Sequence, residues 1–270
     1  MRDLGLMCLI ALDDNTGIDL FALRRAMQMV APRSSITIER RRAAPSETAL
    51  IVEVDGQRFA VHAIGERIPE TEYQEAVVGN LFWPEAADAM ARHRARVAIC
   101  GVERHLVHGL VRAQAVALTR LAAAIAEVTP ASGVHWLGTK AMASPDRLQR
   151  ATGELSRHLW PVDLWLGYVF YGTDRPGERP VVGVQTMGAA DYLGFEIEVP
   201  PFEVVDKIEP IRILFGAVGY LMAYGDAIRD GTLVEVKGER RTHYKLHLGG
   251  GSRPGLAQLE VLPTDHRKLH

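Results

Sequence analysis

Residues 50–64 read LIVEVDGQRFAVHAI, two alternating runs joined by Asp55-Gly56. Asp-Gly between such runs signals a hairpin, because a type I′ turn needs a positive φ at both central residues. One strand therefore follows another with no helix between them. That excludes a strictly alternating, doubly wound parallel sheet and points to antiparallel pairing.

The rest of the chain extends this pattern. Residues 6–12 form a short apolar run and read as a buried strand. Leu20, Leu23, Met27 and Val30 recur at close to helical spacing, with Asp19 placed to cap the helix and Ala31-Pro32 to end it. Ile36 and Ile38 alternate in a further strand. Residues 69–94 read as helix in two pieces broken near Trp83-Pro84, with Pro84 opening the second. Residues 96–102 are another buried strand.

Residues 111–128 form an Ala-rich helix whose polar stripe (Arg112, Gln114, Thr119, Arg120, Glu127) is narrow, so most of it should be buried. Residues 133–137 make a short strand. Ser144-Pro145-Asp146 starts a helix: a serine cap, proline in the first turn, then an acid. Residues 163–172 read as a strand and residues 210–223 as a second buried helix. A hairpin over 231–237 and 242–248 turns at Gly238. The glycines at 249–251 form a loop before a short tail, 256–262.

The expected fold is α+β, with largely antiparallel sheets and packed helices. The first half has a ferredoxin-like βαββαβ order and the second half is related to it. The halves divide as 1–105 and 106–270, unless they make one continuous domain.

Composition narrows the functions. The 270 residues are 47% hydrophobic with a net charge of −2, which offers no clustered basic surface for nucleic acid. Arg40-Arg41-Arg42, behind Glu39, reads as a solvated strand end. No run is expected to approach the roughly 18 apolar residues of a membrane span; the longest candidate is residues 213–223. The apolar start runs into Asp13-Asp14 and lacks a signal peptide's basic flank. Cys8 and Cys100 sit in apolar runs, so they read as free buried thiols in a reducing cytoplasm.

Motifs for chemistry are missing. The sequence has no G-x-S-x-G, Walker A, G-x-G-x-x-G or H-E-x-x-H, and it implies no cofactor. His105 and His108 would share a helix face and offer half of a metal site, but no third ligand follows from their spacing. The histidines at 62, 93, 135 and 158 each sit beside apolar neighbours and read as packed side chains.

The stretch TMGAADYLGFEIEVPP, residues 186–201, is the best candidate site. Gly188 and Gly194 bracket Tyr192 and shape a loop. Beyond it Glu196 and Glu198 alternate with Phe195, Ile197 and Val199. Both carboxylates then point away from the core, about 7 Å apart. Thr186, Gly188, Tyr192, Gly194, Glu196 and Glu198 are the candidate binding residues.

That stretch, followed by a long apolar helix and GDAIRDGTLVEV, resembles the bacterial domain-of-unknown-function family 4261. FWPEAADAMARHRARVAICGV and GVHWLGTKAMASPDRL upstream agree. The shared positions are Thr186, Gly188, Gly194, Glu196, Glu198, Asp230, Gly231 and Thr232. The resemblance implies a soluble bacterial protein with no assigned reaction, of the accessory or immunity kind found near secretion and toxin genes.

The expected function is therefore a non-enzymatic, cytoplasmic protein that binds a protein partner. The alternative is a small-molecule binder or hydrolase, with Glu196, Glu198 and Tyr192 converging on a pocket at residues 186–198.

Overall fold

The computed structural model describes residues 5–41, 48–173, 179–204, 208–224, 228–237, 241–249 and 255–261. Arg42, the Gly238 turn and the glycines at 250 and 251 lie outside them. The fold is mixed α+β, built as two compact units, Met1–Trp165 and Leu166–His270, each with its own sheet and packed helices.

The first unit runs β1 (Met7–Leu12), α1 (Leu20–Val30), β2 (Ile36–Arg41), β3 (Thr48–Val54), β4 (Gln57–Ile64), α2 (Glu70–Val78), α3 (Ala86–Arg92) and β5 (Ala95–Gly101). It continues with α4 (His108–Val128), β6 (Ala131–Trp136), β7 (Ala141–Ala143), α5 (Pro145–Ser156) and α6 (Val162–Trp165). Its seven strands lie in the order β2-β3-β4-β5-β1-β6-β7, and every pair is antiparallel.

Local signals set the element ends. The Asp19 carboxylate accepts the Phe21 and Ala22 N–H groups at 2.7 and 3.1 Å and starts α1. Ser144 Oγ accepts the Arg147 N–H and starts α5. Asp55 and Gly56 turn the hairpin with φ of 51° and 79°.

β1 is apolar throughout because both of its faces are covered. Leu9 and Ala11 join Ile68, Ala76, Trp83, Ala86, Ala89 and Met90 in a cluster supplied largely by α2 and α3. Cys8 and Ile10 point to the opposite face, beside Ile99 and Val97 of β5. There α4 crosses the sheet, flanked by α1 and α5.

The fold departs from the expected one in several places. Three strands separate α1 from α2, one more than βαββαβ allows, and the following helical segment is two helices. Pro84 lies in the turn before α3, not at its first position. The division falls after residue 165 rather than 105, because β6 pairs with β1 and α4 packs on β1, β4 and β5. Residues 106–165 therefore complete the first sheet. In addition α4 is, by length and composition, long and apolar enough to cross a membrane. Its polar residues interrupt the run without ending the helix, and most of the helix is buried inside the unit.

The second unit runs β8 (Gly167–Thr173), β9 (Val181–Met187), α7 (Ala189–Leu193), β10 (Glu196–Glu203), α8 (Glu209–Tyr224), β11 (Leu233–Lys237), β12 (Arg241–Leu248) and β13 (Leu256–Val261). Its order is β11-β12-β13-β10-β9-β8, antiparallel except for β10 against β13. The α8 helix packs along β9, β10 and β11. Residues 163–165 belong to α6, so the strand expected from 163 begins at Gly167. Where a tail was expected over 256–262, Leu256–Val261 form a central strand, paired on both sides. Alternation in LAQLEV buries Ala257 and Leu259 on one face and puts Gln258 and Glu260 on the other, where Leu256 at the strand's start is also buried.

Candidate functional site

The two glutamates of β10 have different partners. Gly188 turns the chain into α7 with a φ of 98°, and Gly194 turns it out with a φ of 88°. Both angles lie in the left-handed region, where glycine carries no Cβ penalty. The turn gathers three backbone donors around Glu196. Its Oε1 accepts the Gly188 and Ala190 N–H groups at 2.8 and 3.4 Å, and its Oε2 accepts the Ala189 N–H at 3.1 Å. The Thr186 hydroxyl donates to the same Oε2 and accepts the Ile197 N–H at 2.8 Å.

Glu196 thus satisfies the orphan donors at the start of α7 from a neighbouring strand. Such a group of N–H donors would otherwise suit an external anion; here the chain's own carboxylate fills it. Tyr192, within α7, is 1% exposed, and burial, with Asp191 close by, pushes its phenol well above the ordinary range. Asp230 and Thr232 also close loops. Asp230 Oδ1 accepts the Leu248 N–H at 2.9 Å, and Thr232 Oγ1 accepts the Arg229 N–H at 2.9 Å.

Glu198 belongs to a row of side chains across the polar face of the sheet. Register places His247 opposite Gln258, Gln258 opposite Glu198, Glu198 opposite Gln185, and Gln185 opposite Val169. The Tyr171 hydroxyl donates to Glu198 Oε1, and Gln258 Nε2 donates to Oε2 at 2.6 Å. Tyr171 reaches across because β9 carries Gly183 opposite it. A Cβ there would come within 2.6 Å of the ring. At the end of the row His247 Nε2 lies 2.6 Å from a Glu260 oxygen. An open groove of about 410 Å³ adjoins this pair, lined by Val199, Pro200, Pro201, Phe202, His247, Gln258, Leu259 and Glu260.

Tyr171, His247, Gln258 and Glu260 were not anticipated. The signals that could have found them are the alternation of THYKLHL and LAQLEV and a Pro-Pro pair inside a strand. The row itself depends on pairing between distant segments.

Elsewhere the candidate residues are tied into the fold. His105 precedes α4 and bonds Gln57 Oε1 at 2.8 Å, while His108 is the first residue of that helix. They do not share a helix face. Among the described residues no group of three or more His, Cys, Asp or Glu is placed to hold a metal ion. His93 is buried; its Nε2 accepts the Ile68 N–H at 2.8 Å, so the proton sits on Nδ1, facing Met90 O. Burial lowers its pKa, as it does for His135, whose ring nitrogens lie 3.2 Å from Ala141 O and 3.0 Å from Glu72 O. Cys8 and Cys100 are free thiols, both pushed up by burial.

Comparison of the chain with family models, with curated proteins and with solved structures found no match.

Proposed function

We propose that this is a non-enzymatic protein-binding protein that engages its partner through the polar face of the second unit's sheet and the β8 edge beside it. The observation that carries this reading is the character of that edge. β8 is GYVFYGT, seven residues with no charge and no proline, and Val169 is 49% exposed on it. In the first unit, edge strand β2 carries Glu39, Arg40 and Arg41, and edge strand β7 has only three residues. Charge and shortness are the usual protections of an edge, and an edge without them is a template for pairing with another chain.

The resemblance to family 4261 supports an adaptor or immunity role in a bacterial cytoplasm. The alternative, a small-molecule or hydrolase pocket at residues 186–198, draws less support. The donors of that loop are taken by Glu196, and the groove lies beyond it.

The test is capture of the tagged full-length chain from its native cell, beside a Val169→Asp variant shown by circular dichroism to keep its fold. A stoichiometric partner with the wild type that is lost with the variant is the expected result. A solitary wild-type protein would sink the binding reading. A partner retained by the variant would move the interface off this edge.

A further inference from the structure

β10 contains Pro200-Pro201 in a central position of its sheet. Proline offers no N–H to a ladder, so it is rarely found inside a sheet away from bulges and edges. The effect here is local and visible. Pairing of β10 with β13 stops at Glu198–Gln258, and pairing with β9 shifts register between Val199 and Phe202. β13 nevertheless continues along β12, with Leu259 opposite Leu246 and Glu260 opposite Lys245. Two neighbouring strands part in mid-sheet, and the groove of about 410 Å³ lies where they do.

The groove combines apolar and acidic surface. Pro200, Pro201 and Phe202 supply its accessible apolar lining, while Val199 and Leu259 border it from the core, each 1% exposed. Glu260 lies at its rim, and Glu198 next to it. Both carboxylates are held in place, Glu198 by Tyr171 and Gln258, Glu260 by His247. A carboxylate has about four lone-pair sites, so each can accept further donors. No lysine or arginine lines the groove among the described residues. Lys245, the neighbour of Glu260, passes its stem by Gly231, 3.7 Å from where a Cβ there would lie.

From this geometry we infer that the groove is a docking site for an extended, basic segment of a partner protein. The inference rests on the protein-binding reading and deepens it. Charge complementarity selects lysine or arginine at Glu198 and Glu260, and the apolar lining selects an aliphatic side chain between them. A slot opened between strands suits an extended chain, whose alternate side chains share a face.

The probe is a fluorescein-labelled peptide, Val-Arg-Val-Arg-Val-Arg-Val, read by fluorescence polarisation with the full-length chain at low salt. Its counterpart carries glutamate in place of arginine. The arginine peptide should bind roughly tenfold or more tighter than the glutamate peptide, and Glu260→Lys should remove about that preference. Glu260→Gln, which keeps the shape and drops the charge, should fall between them, so a misfolded lysine variant does not decide the matter. Equal binding of both peptides, or unchanged binding by both Glu260 variants, would overturn the inference. Full displacement by equimolar spermine would overturn the assignment to an extended chain. The two readings fail separately. A partner lost with Val169→Asp but kept with Glu260→Lys removes the groove alone, and a chain that captures no partner removes the binding reading beneath it.

Discussion

One group of polar side chains in each unit makes a useful contrast. In the first unit Gln114, His93 and His135 point inward and bond to backbone from distant elements. Gln114, 2% exposed on α4, accepts the Leu6 N–H and donates to Glu103 O, both at 2.9 Å. His93 joins the start of α2 to the end of α3, and His135 joins β6 to α2 and β7. In the second unit Tyr171, Glu198, Gln258, His247 and Glu260 bond to one another across a sheet face. Buried side-chain-to-backbone bonds fix one arrangement, because leaving any partner unsatisfied is costly. Polar groups bonded among themselves at a surface keep acceptor capacity for a ligand. The contrast separates a scaffold from a surface that can be read.

The sharpest break of this comparison is a core truncation in the first unit. Leu118 on α4 is fully buried, and Leu118→Ala should cost about 2–5 kcal/mol through lost contacts and a residual cavity. Tryptophan fluorescence during urea unfolding measures it directly, since Trp83, Trp136, Trp160 and Trp165 all lie in the first unit. A cost under about 1 kcal/mol would mean that α4 is not the core helix described here.

An intermediate effect distinguishes the two glutamates of β10. Glu196→Ala removes the acceptor of the Gly188, Ala189 and Ala190 N–H groups at the start of α7 and should cost about 1–2 kcal/mol, whereas Glu198→Ala should cost about 0.5 kcal/mol or less. Urea midpoints by far-ultraviolet circular dichroism compare them. Equal costs would erase the distinction between a capping carboxylate and a surface one.

The smallest effect is a slope with pH. Burial depresses the pKa of His93 in the folded chain, so the unfolded chain binds the proton more readily. The stability owed to neutral His93 is complete above the unfolded value of about 6.5 and is lost as pH falls below it. Tryptophan-monitored stability should therefore decline from pH 7 to pH 5, and His93→Gln should flatten that decline. An unchanged slope in the variant would remove His93 from the acid response.

What could be read from the sequence was local. Asp19, Asp55-Gly56 and Ser144-Pro145 act within a few residues, and each does in the fold what its position suggested. Alternation also placed Ile197 and Val199 inside. What could not be read was pairing between distant segments. LAQLEV looks like a tail until β10 and β12 are placed on either side of it. Glu196 and Glu198 are indistinguishable by spacing, because the difference comes from a turn eight residues earlier and from strands 27 and 60 residues away. The short α6 and α7 helices were missed for a related reason: four or five residues hold too little periodicity to show.

The place of β13 between β10 and β12 also bears on how the chain acquires its structure. β10 and β9 can pair soon after synthesis, but the strand that joins them to the β11–β12 hairpin follows some sixty residues later. Until it arrives β10 has one free side, and closing so long a loop carries an entropic cost before any contact repays it. Nascent chains halted before residue 256 would hold the second sheet in two unjoined parts. That is the interval in which a chaperone would find the most to hold.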